Sequence, residues 1–372
     1  MEDSARTDGV AVITLASLFF MGLFTISHAT KDYSHSSFVM KQLIWFSVGG
    51  LLFLWIKQWN YRFLVKHAFP IYVAGILFLV SVFVLGKKVN GALSWIDLGF
   101  LRLQPSEFVK ISTLIMLGKI YEQSGGVIHQ PKQLAKMAIS LFLPTFIVLI
   151  QPDLGMALIY LAMLGCIFML ARLPAWVHVT SLVSVAIFVA LLFGLYSFSP
   201  DAFHKVIRPH QFDRLISFIH PEQDPLGSGY QYMQAKKFVG SGQLTGAGVL
   251  LMLSTTVSLP EKHTDFIFAV IAHHWGFIGA SILLMLYFVL FYRFVHWAMK
   301  TKDIFASFFI SGMVTMWSFQ IFVNIGMNIG LSPITGLTLP FISYGGSSLV
   351  SNLAALGLIY SMQHPKPHWF IE

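Results

Sequence analysis

Apolar residues run through this chain in long blocks, broken by short clusters of charged, Gly- and Pro-containing sequence. Ten blocks stand out, at 10–29, 38–56, 64–86, 106–121, 137–151, 155–171, 176–197, 266–293, 304–326 and 346–363. Each approaches the ~20 residues that carry a helix across a hydrocarbon core of roughly 30 Å, and some are shorter or interrupted. The pattern predicts an all-α polytopic membrane protein with about ten transmembrane helices, organised as a single domain over residues 1–372. A long polar stretch, 198–264, separates helices 7 and 8.

Composition agrees: 56% of the residues are hydrophobic, only 11% are charged, and the net charge is +8. An even number of spans puts both termini on one side. That side then receives Lys57, Arg62, Lys66, Lys119, Lys132, Lys136, Arg172, Arg293, Lys300 and Lys302, so the bias of basic residues predicts cytoplasmic termini. Lys87 and Lys88 run against the bias. The opening "MEDSARTDGV" is acidic and polar, and the run Val10 to Ala29 exceeds a signal-peptide core, which predicts a retained first helix. Cys166 is the sole cysteine, so no intramolecular disulfide can form. There is no Walker loop or dinucleotide fingerprint, hence no sign of nucleotide hydrolysis or a redox cofactor, and no nucleic-acid partner is expected.

By this topology 198–264 is a large structured extracellular loop. Its apolar residues argue for folded helices within it, and "HQFDRLISFI" has the spacing of an amphipathic one. Its cations Lys205, Arg208, Arg214, Lys236 and Lys237 suit either anionic lipid headgroups or a phosphorylated substrate. The glycines of "GSGQLTGAG" would let backbone N–H groups approach such a phosphate.

Other polar groups interrupt the apolar blocks. In "LQPSEFVK", Glu107 and Lys110 share a helix face, either as a structural ion pair locking two helices or as substrate contacts. "QPDLG" sets Asp153 at a Pro–Gly break, where it can also cap the next helix, and Arg102 is a further outer-face cation. "NIGMNIGLSPITGLTLPFISYGGSS" suits a broken, cavity-lining segment or an exposed loop. His273 and His274 are adjacent, so on a helix they face different directions and do not suggest a zinc site. "PEKHTDFIFAV" brings Glu261, Lys262, His263 and Asp265 to the lip of a span, where Asp265 can serve as an N-cap.

"LQPSEFVK", "QPDLG", "GSGYQYMQAKKFVGSGQLTGAG", "LPEKHTDFIFAV" and "LTLPFISYGGSS", in this order from Leu103 to Ser348, resemble the SEDS (shape, elongation, division and sporulation) family of bacterial peptidoglycan polymerases. "DPLGSGYQ" and "PEKHTDFIF" are more similar to its elongation members than to its division members. The resemblance implies a glycosyltransferase in the bacterial plasma membrane that polymerises lipid II outside the cell and releases undecaprenyl pyrophosphate. It implies Asp265 as general base, its ionisation favoured by nearby Lys262 or His263, and a substrate site including Arg102, Glu107, Lys110, Asp153, Arg214, Lys262, His263 and Ser343. Glu107 and Asp153 would be the candidates to hold a divalent cation, Mg or Mn, if one is used. The partners implied are a class B penicillin-binding protein, which supplies the transpeptidase, and other membrane proteins of the elongation complex.

The chain departs from the family pattern in three places. Leu93 and Ser94 stand before Trp95 where a polar or basic residue is common, His273 and His274 replace a pair of glutamates, and "GSGQL" replaces "GSGGL". Two other classes remain: a flippase for a lipid-linked precursor, which predicts an inverted repeat that the sequence does not display, and a non-catalytic scaffold, which predicts tolerance of Asp265 replacement.

Overall fold

The computed structural model describes residues 8–30, 38–89, 91–99, 102–128, 130–171, 173, 175–198, 209–225, 227–247 and 259–363. The termini and the loop cations Lys205 and Arg208, with Arg172 and Gly248, lie outside these residues. A helix coincides with each of the ten apolar blocks: α1 Gly9–Ala29, α2 Phe38–Ile56, α4 Ala68–Leu85, α5 Pro105–Gln123, α6 Pro131–Ile150, α7 Leu154–Leu170, α8 Ala175–Phe198, α11 Ile267–Lys300, α12 Ile304–Ile329 and α13 Gly346–Gln363. Among the described residues, six of these (α1, α2, α4, α6, α11 and α12) are long and apolar enough to cross a membrane by length and composition.

The boundaries shift where polar residues can still be helical. The block 64–86 divides: α3, Tyr61–Lys66, is capped by the Asn60 side chain accepting from Arg62 N–H at 2.9 Å, and α4 starts afresh after His67. The α6 helix starts at Pro131 rather than at 137, because proline at the first helical position forfeits only an N–H that has no intrahelical partner.

A three-stranded antiparallel sheet, β1 Gly86–Val89, β2 Ala92–Asp97 and β3 Arg102–Leu103, joins α4 to α5 and had no counterpart in the sequence reading. On β2, Ser94 and Ile96 are buried with the period of two that a half-covered strand requires. Leu93 N–H donates to the Gln151 carbonyl at 3.1 Å, tying the sheet to the end of α6.

The core centres on α12, most of which is buried, with α5, α7 and α11 packed around it. In the 198–264 segment, α9, Pro209–Ile219, is the amphipathic helix expected there, and α10, Ser228–Ser241, lies on α11 and α12. Tyr232, Ala235 and Phe238 of α10 pack in a second core with Leu259, Phe266, Ala269, Met327 and Ile334, which fastens this segment to the start of α11. Between α12 and α13 the chain is irregular yet buried, with Leu337, Leu339, Phe341 and Ile342 all inside. It is a broken interior segment and not an exposed loop.

The two ends of the bundle differ. At one, Arg62 pairs with Glu122 and Asp303, Tyr61 bonds Asp303, Lys119 reaches the Lys66 carbonyl, and Arg293 pairs with Asp8 at 2.5 Å. The other gathers Arg102, Gln104, Asp153, His263, Asp265 and the 336–347 segment.

Candidate active site

Asp265 ends a turn, 260–266, from which α11 departs. The helix cap is Phe266, which makes no side-chain capping bond, and Asp265 is not the cap that its position suggested. Its carboxylate remains partly exposed, and the Gly336 backbone approaches it so closely that a Cβ on Gly336 would lie 3.5 Å from Oδ2. Gly336 has φ +77°, a region that glycine enters without steric cost.

The electrostatics reverse one sequence expectation. Asp265 is pushed up to about 7, first by loss of hydration and then by the Glu261 carboxylate, while the Arg214 guanidinium pulls the other way. His263 does not supply a favouring charge. Its ring is buried, tilted against Phe38 at 4.5 Å and Tyr344 at 5.6 Å, and burial pushes its pKa down toward the neutral form although the Glu261 carboxylate opposes this. Lys262 pushes it down further.

Asp153 caps the next helix, one of the readings that its position allowed. Its Oδ1 accepts from Met156 N–H at 3.0 Å, capping α7, and its Oδ2 accepts from the Gln104 amide at 2.9 Å. Burial holds its pKa above the ordinary carboxylate value, and Arg214 opposes this. The Arg214 charge of α9 thus favours the ionised form of both Asp153 and Asp265.

The remaining candidates divide. Arg102 is exposed on β3, its carbonyl held by Ser347 Oγ at 3.1 Å. Lys110 and Glu107 pair at 2.5 Å with almost no exposure, and Ser351 Oγ of α13 donates to the same Glu107 oxygen at 3.1 Å. This is an ion pair that ties α5 to α13. Ser343, named among the substrate-site residues, is buried, donates to the Thr264 carbonyl at 2.7 Å and accepts from Leu339 N–H at 2.7 Å. It braces the turn that carries Asp265.

The carboxylates proposed to hold a cation do not form a site for one. Glu107 is committed to Lys110 and Ser351, and Asp153 to Met156 and Gln104. No group of three or more His, Cys, Asp or Glu suited to a metal occurs among the described residues.

The glycines of "GSGQLTGAG" also do something other than cradle phosphate. The α11 helix breaks at Gly276, φ +62° and ψ −160°, and the loop seats itself in the break: Phe277 N–H donates to the Gln243 carbonyl at 2.8 Å and Ala247 N–H to the His273 carbonyl at 2.9 Å. A Cβ on Gly246 would come within 2.1 Å of the His274 carbonyl oxygen. His273 and His274 diverge as expected, one toward Ser241 and Phe238, the other toward Phe24 and His28.

Sequence reasoning missed Gln104 and the like-charge role of Glu261. Gln104 stood inside a quoted motif, but an amide before a helix carries no signal of what it will bond.

The family model described as "Cell cycle protein", covering FtsW, RodA and SpoVE, matches residues 8–368. Peptidoglycan glycosyltransferase MrdB of Escherichia coli (strain K12) is 33% identical, over 94% of this chain and 91% of its own. Stage V sporulation protein E of Bacillus subtilis (strain 168) is also 33% identical, over 95% of this chain and 96% of its own. A solved structure from a peptidoglycan synthase complex that coordinates polymerization and crosslinking superposes with TM-score 0.77 at 31% identity, covering 97% of this chain and 98% of that one.

Proposed function

The chain belongs to the cell cycle protein family of FtsW, RodA and SpoVE, and on that membership and the setting of Asp265 we propose that it is a peptidoglycan glycosyltransferase that polymerises lipid II. The observation carrying the mechanism is the carboxyl group of a partly exposed residue, held at about 7 with the Arg214 charge favouring its ionised form, at the mouth of an apolar helix bundle. A general base with a pKa near the working pH combines a large ionised fraction with a strong pull on the proton.

Asp265 takes the proton of the acceptor GlcNAc 4-hydroxyl as that oxygen attacks the donor MurNAc anomeric carbon. The bond from that carbon to the pyrophosphate oxygen breaks on the opposite face and its electron pair leaves with undecaprenyl pyrophosphate. The result is a β-1,4 link with inverted configuration. Positioned proton transfer of this kind contributes about 10²–10⁴-fold. Charge grows on the departing pyrophosphate, and Arg214, able to bond phosphate oxygens in pairs, is placed to answer it with the exposed Arg102 nearby. No step is routed through a metal ion.

The protein is a multi-pass membrane protein, and our reading places it in the bacterial plasma membrane with its termini cytoplasmic and Asp265 facing outward. The basic residues Arg62, Lys66, Lys119 and Arg293 at the end opposite Asp265 support that orientation. We assign it the elongation role of RodA-type members on "DPLGSGYQ" and "PEKHTDFIF". A class B penicillin-binding protein is the partner that fits a relative working where polymerization is coordinated with crosslinking, because this chain lacks the serine motifs of a transpeptidase.

The deciding experiment is polymerisation of fluorescent lipid II by the purified protein with its penicillin-binding partner, wild type against Asp265→Asn. Strands made by wild type and lost in the folded variant are expected. Strands from both would remove Asp265 as the base, and none from either would favour a flippase or scaffold.

A further inference from the structure

Three consecutive backbone carbonyls carry Asp265, and each is gripped by the segment that follows residue 320. His263 O accepts from Tyr344 N–H at 2.9 Å, and Thr264 O accepts from Ser343 Oγ at 2.7 Å. Asp265 O accepts from Asn324 Nδ2 at 2.9 Å and from Asn328 Nδ2 at 3.3 Å.

The two asparagines lie one turn apart on α12, on one face, and both are fully buried. Asn324 also donates to Leu337 O at 2.6 Å, so its two amide hydrogens join the Asp265 turn to the segment that carries Gly336 over the carboxylate. Asn328 donates to Asn324 O at 2.8 Å and accepts from Ala269 N–H at 3.1 Å. Ala269 N–H, a first-turn donor of α11, is thereby shared between the Asn328 amide and the Phe266 carbonyl, which lies at 3.1 Å. The orientation of each amide is fixed by its partners, since turning Asn324 over would set oxygen against two carbonyl oxygens.

A buried amide in an apolar helix is costly where a bond goes unused, as at Asn324 Oδ1, which has no hydrogen-bond partner among the described residues, and the return here is geometric. We propose that Asn324 and Asn328 are positioning residues, which hold the Asp265 backbone so that its carboxylate stands at one fixed place beneath Gly336. They touch no substrate. The inference rests on the reading of Asp265 as the general base, because misplacing a reacting group by about 1 Å costs about 100-fold in rate while substrate binding elsewhere is spared.

Two readouts test it on the full-length protein with its penicillin-binding partner. The first is amide hydrogen exchange at Thr264, Phe266 and Ala269, which needs no turnover. Asn324→Ala and Asn328→Ala are expected to speed exchange there at least about 10-fold while amides within α12 keep their protection. The second is lipid II polymerisation normalised to folded protein. Asn328→Asp keeps the acceptor for Ala269 N–H but loses both donors, and is expected to lower kcat about 10–100-fold with KM within about threefold. Ser343→Ala, which removes one bond from the same cradle, is expected to show the same split more weakly and serves if an asparagine variant does not fold.

Unchanged exchange at the three amides overturns the proposal whatever the activity. So does an unchanged kcat per folded molecule in Asn328→Asp, even with less folded protein recovered. If wild type makes no strands, the polymerase reading fails, and the exchange measurement still decides whether these residues hold the turn.

Discussion

Glu261 and Asp265 stand on a single turn, with Thr264 Oγ1 donating to Glu261 Oε2 at 2.8 Å and Phe266 N–H donating to Glu261 O at 3.2 Å. Glu261 adopts φ +52°, a left-handed conformation that side chains other than glycine and asparagine enter at a cost. The strain keeps one carboxylate beside another. Glu261 is, after burial, the second cause of the raised Asp265 pKa.

The sign of its effect is therefore testable. With the Asp265 carboxyl near 7, the base is protonated below that pH, so polymerisation should fall as pH drops through about 7. Removing the neighbouring charge by Glu261→Gln lets Asp265 ionise more readily, so the acid limb should move to lower pH with the plateau rate retained. A pH–kcat/KM profile for each protein checks this. A limb that stays in place, or moves up, would deny Glu261 this role.

Lys110 and Glu107 are both almost wholly buried and bonded at 2.5 Å. Lys110→Met leaves Glu107 uncompensated, and removing one partner of such a pair costs about 3–5 kcal/mol. The double variant Glu107→Gln, Lys110→Met removes both charges and should recover most of that loss. Thermal unfolding in one detergent compares the three proteins. A double variant no more stable than Lys110→Met would mean that the charges do not constrain each other.

The ten helices were legible because each is a continuous apolar block, and period and length alone locate such segments. The β1–β2–β3 sheet was not, because Lys87, Lys88 and Gly91 hide a short alternation that becomes a strand only when Ser94 and Ile96 find cover. Asp265 and Asp153 could be named because each sits in a motif that carries the family resemblance, and Arg214 because it is one of the cations of the 198–264 segment. Their surroundings could not. The Ser343 hydroxyl serves Thr264 and Leu339, which no motif announces, and Asn324 and Asn328 were quoted without a role because neither charge nor spacing says that two amides on α12 will grasp a carbonyl some sixty residues earlier.

Two glycines of the same motif make an internal comparison. Gly246 has φ +90° and lies where a Cβ would come within 2.1 Å of His274 O, whereas Gly240, inside α10, has nothing within 4 Å of its Cβ position. Gly246→Ala should lower stability by about 1–3 kcal/mol through backbone strain alone, with the clash adding to it. Gly240→Ala should leave it unchanged or raise it by up to about 1 kcal/mol from helix propensity. Equal melting temperatures for the two variants would mean that the loop is not seated in the break of α11.

Arg214 is held by a device that the sequence shows only as "DPLGSG". The Asp224 carboxylate accepts from Gly227 N–H at 3.0 Å, from Gly229 N–H at 3.3 Å and from Ser217 Oγ at 3.3 Å, tying the start of α10 to the end of α9, the helix that carries Arg214. If Arg214 grips the pyrophosphate, loosening α9 weakens that grip without touching the base. Asp224→Ala should therefore raise the KM for lipid II about 10-fold, equivalent to about 1.4 kcal/mol and within what hydrogen bonds to a charged group contribute. Its acid limb should stay close to that of wild type, because Arg214 is only the third influence on Asp265, behind burial and Glu261. Arg214→Ala should raise KM further and also move the limb up, since it deletes the charge that favours ionised Asp265. Steady-state kinetics across pH separate the two. An Asp224→Ala enzyme with unaltered KM would detach α9 from substrate binding and leave Arg102 as the cation to examine.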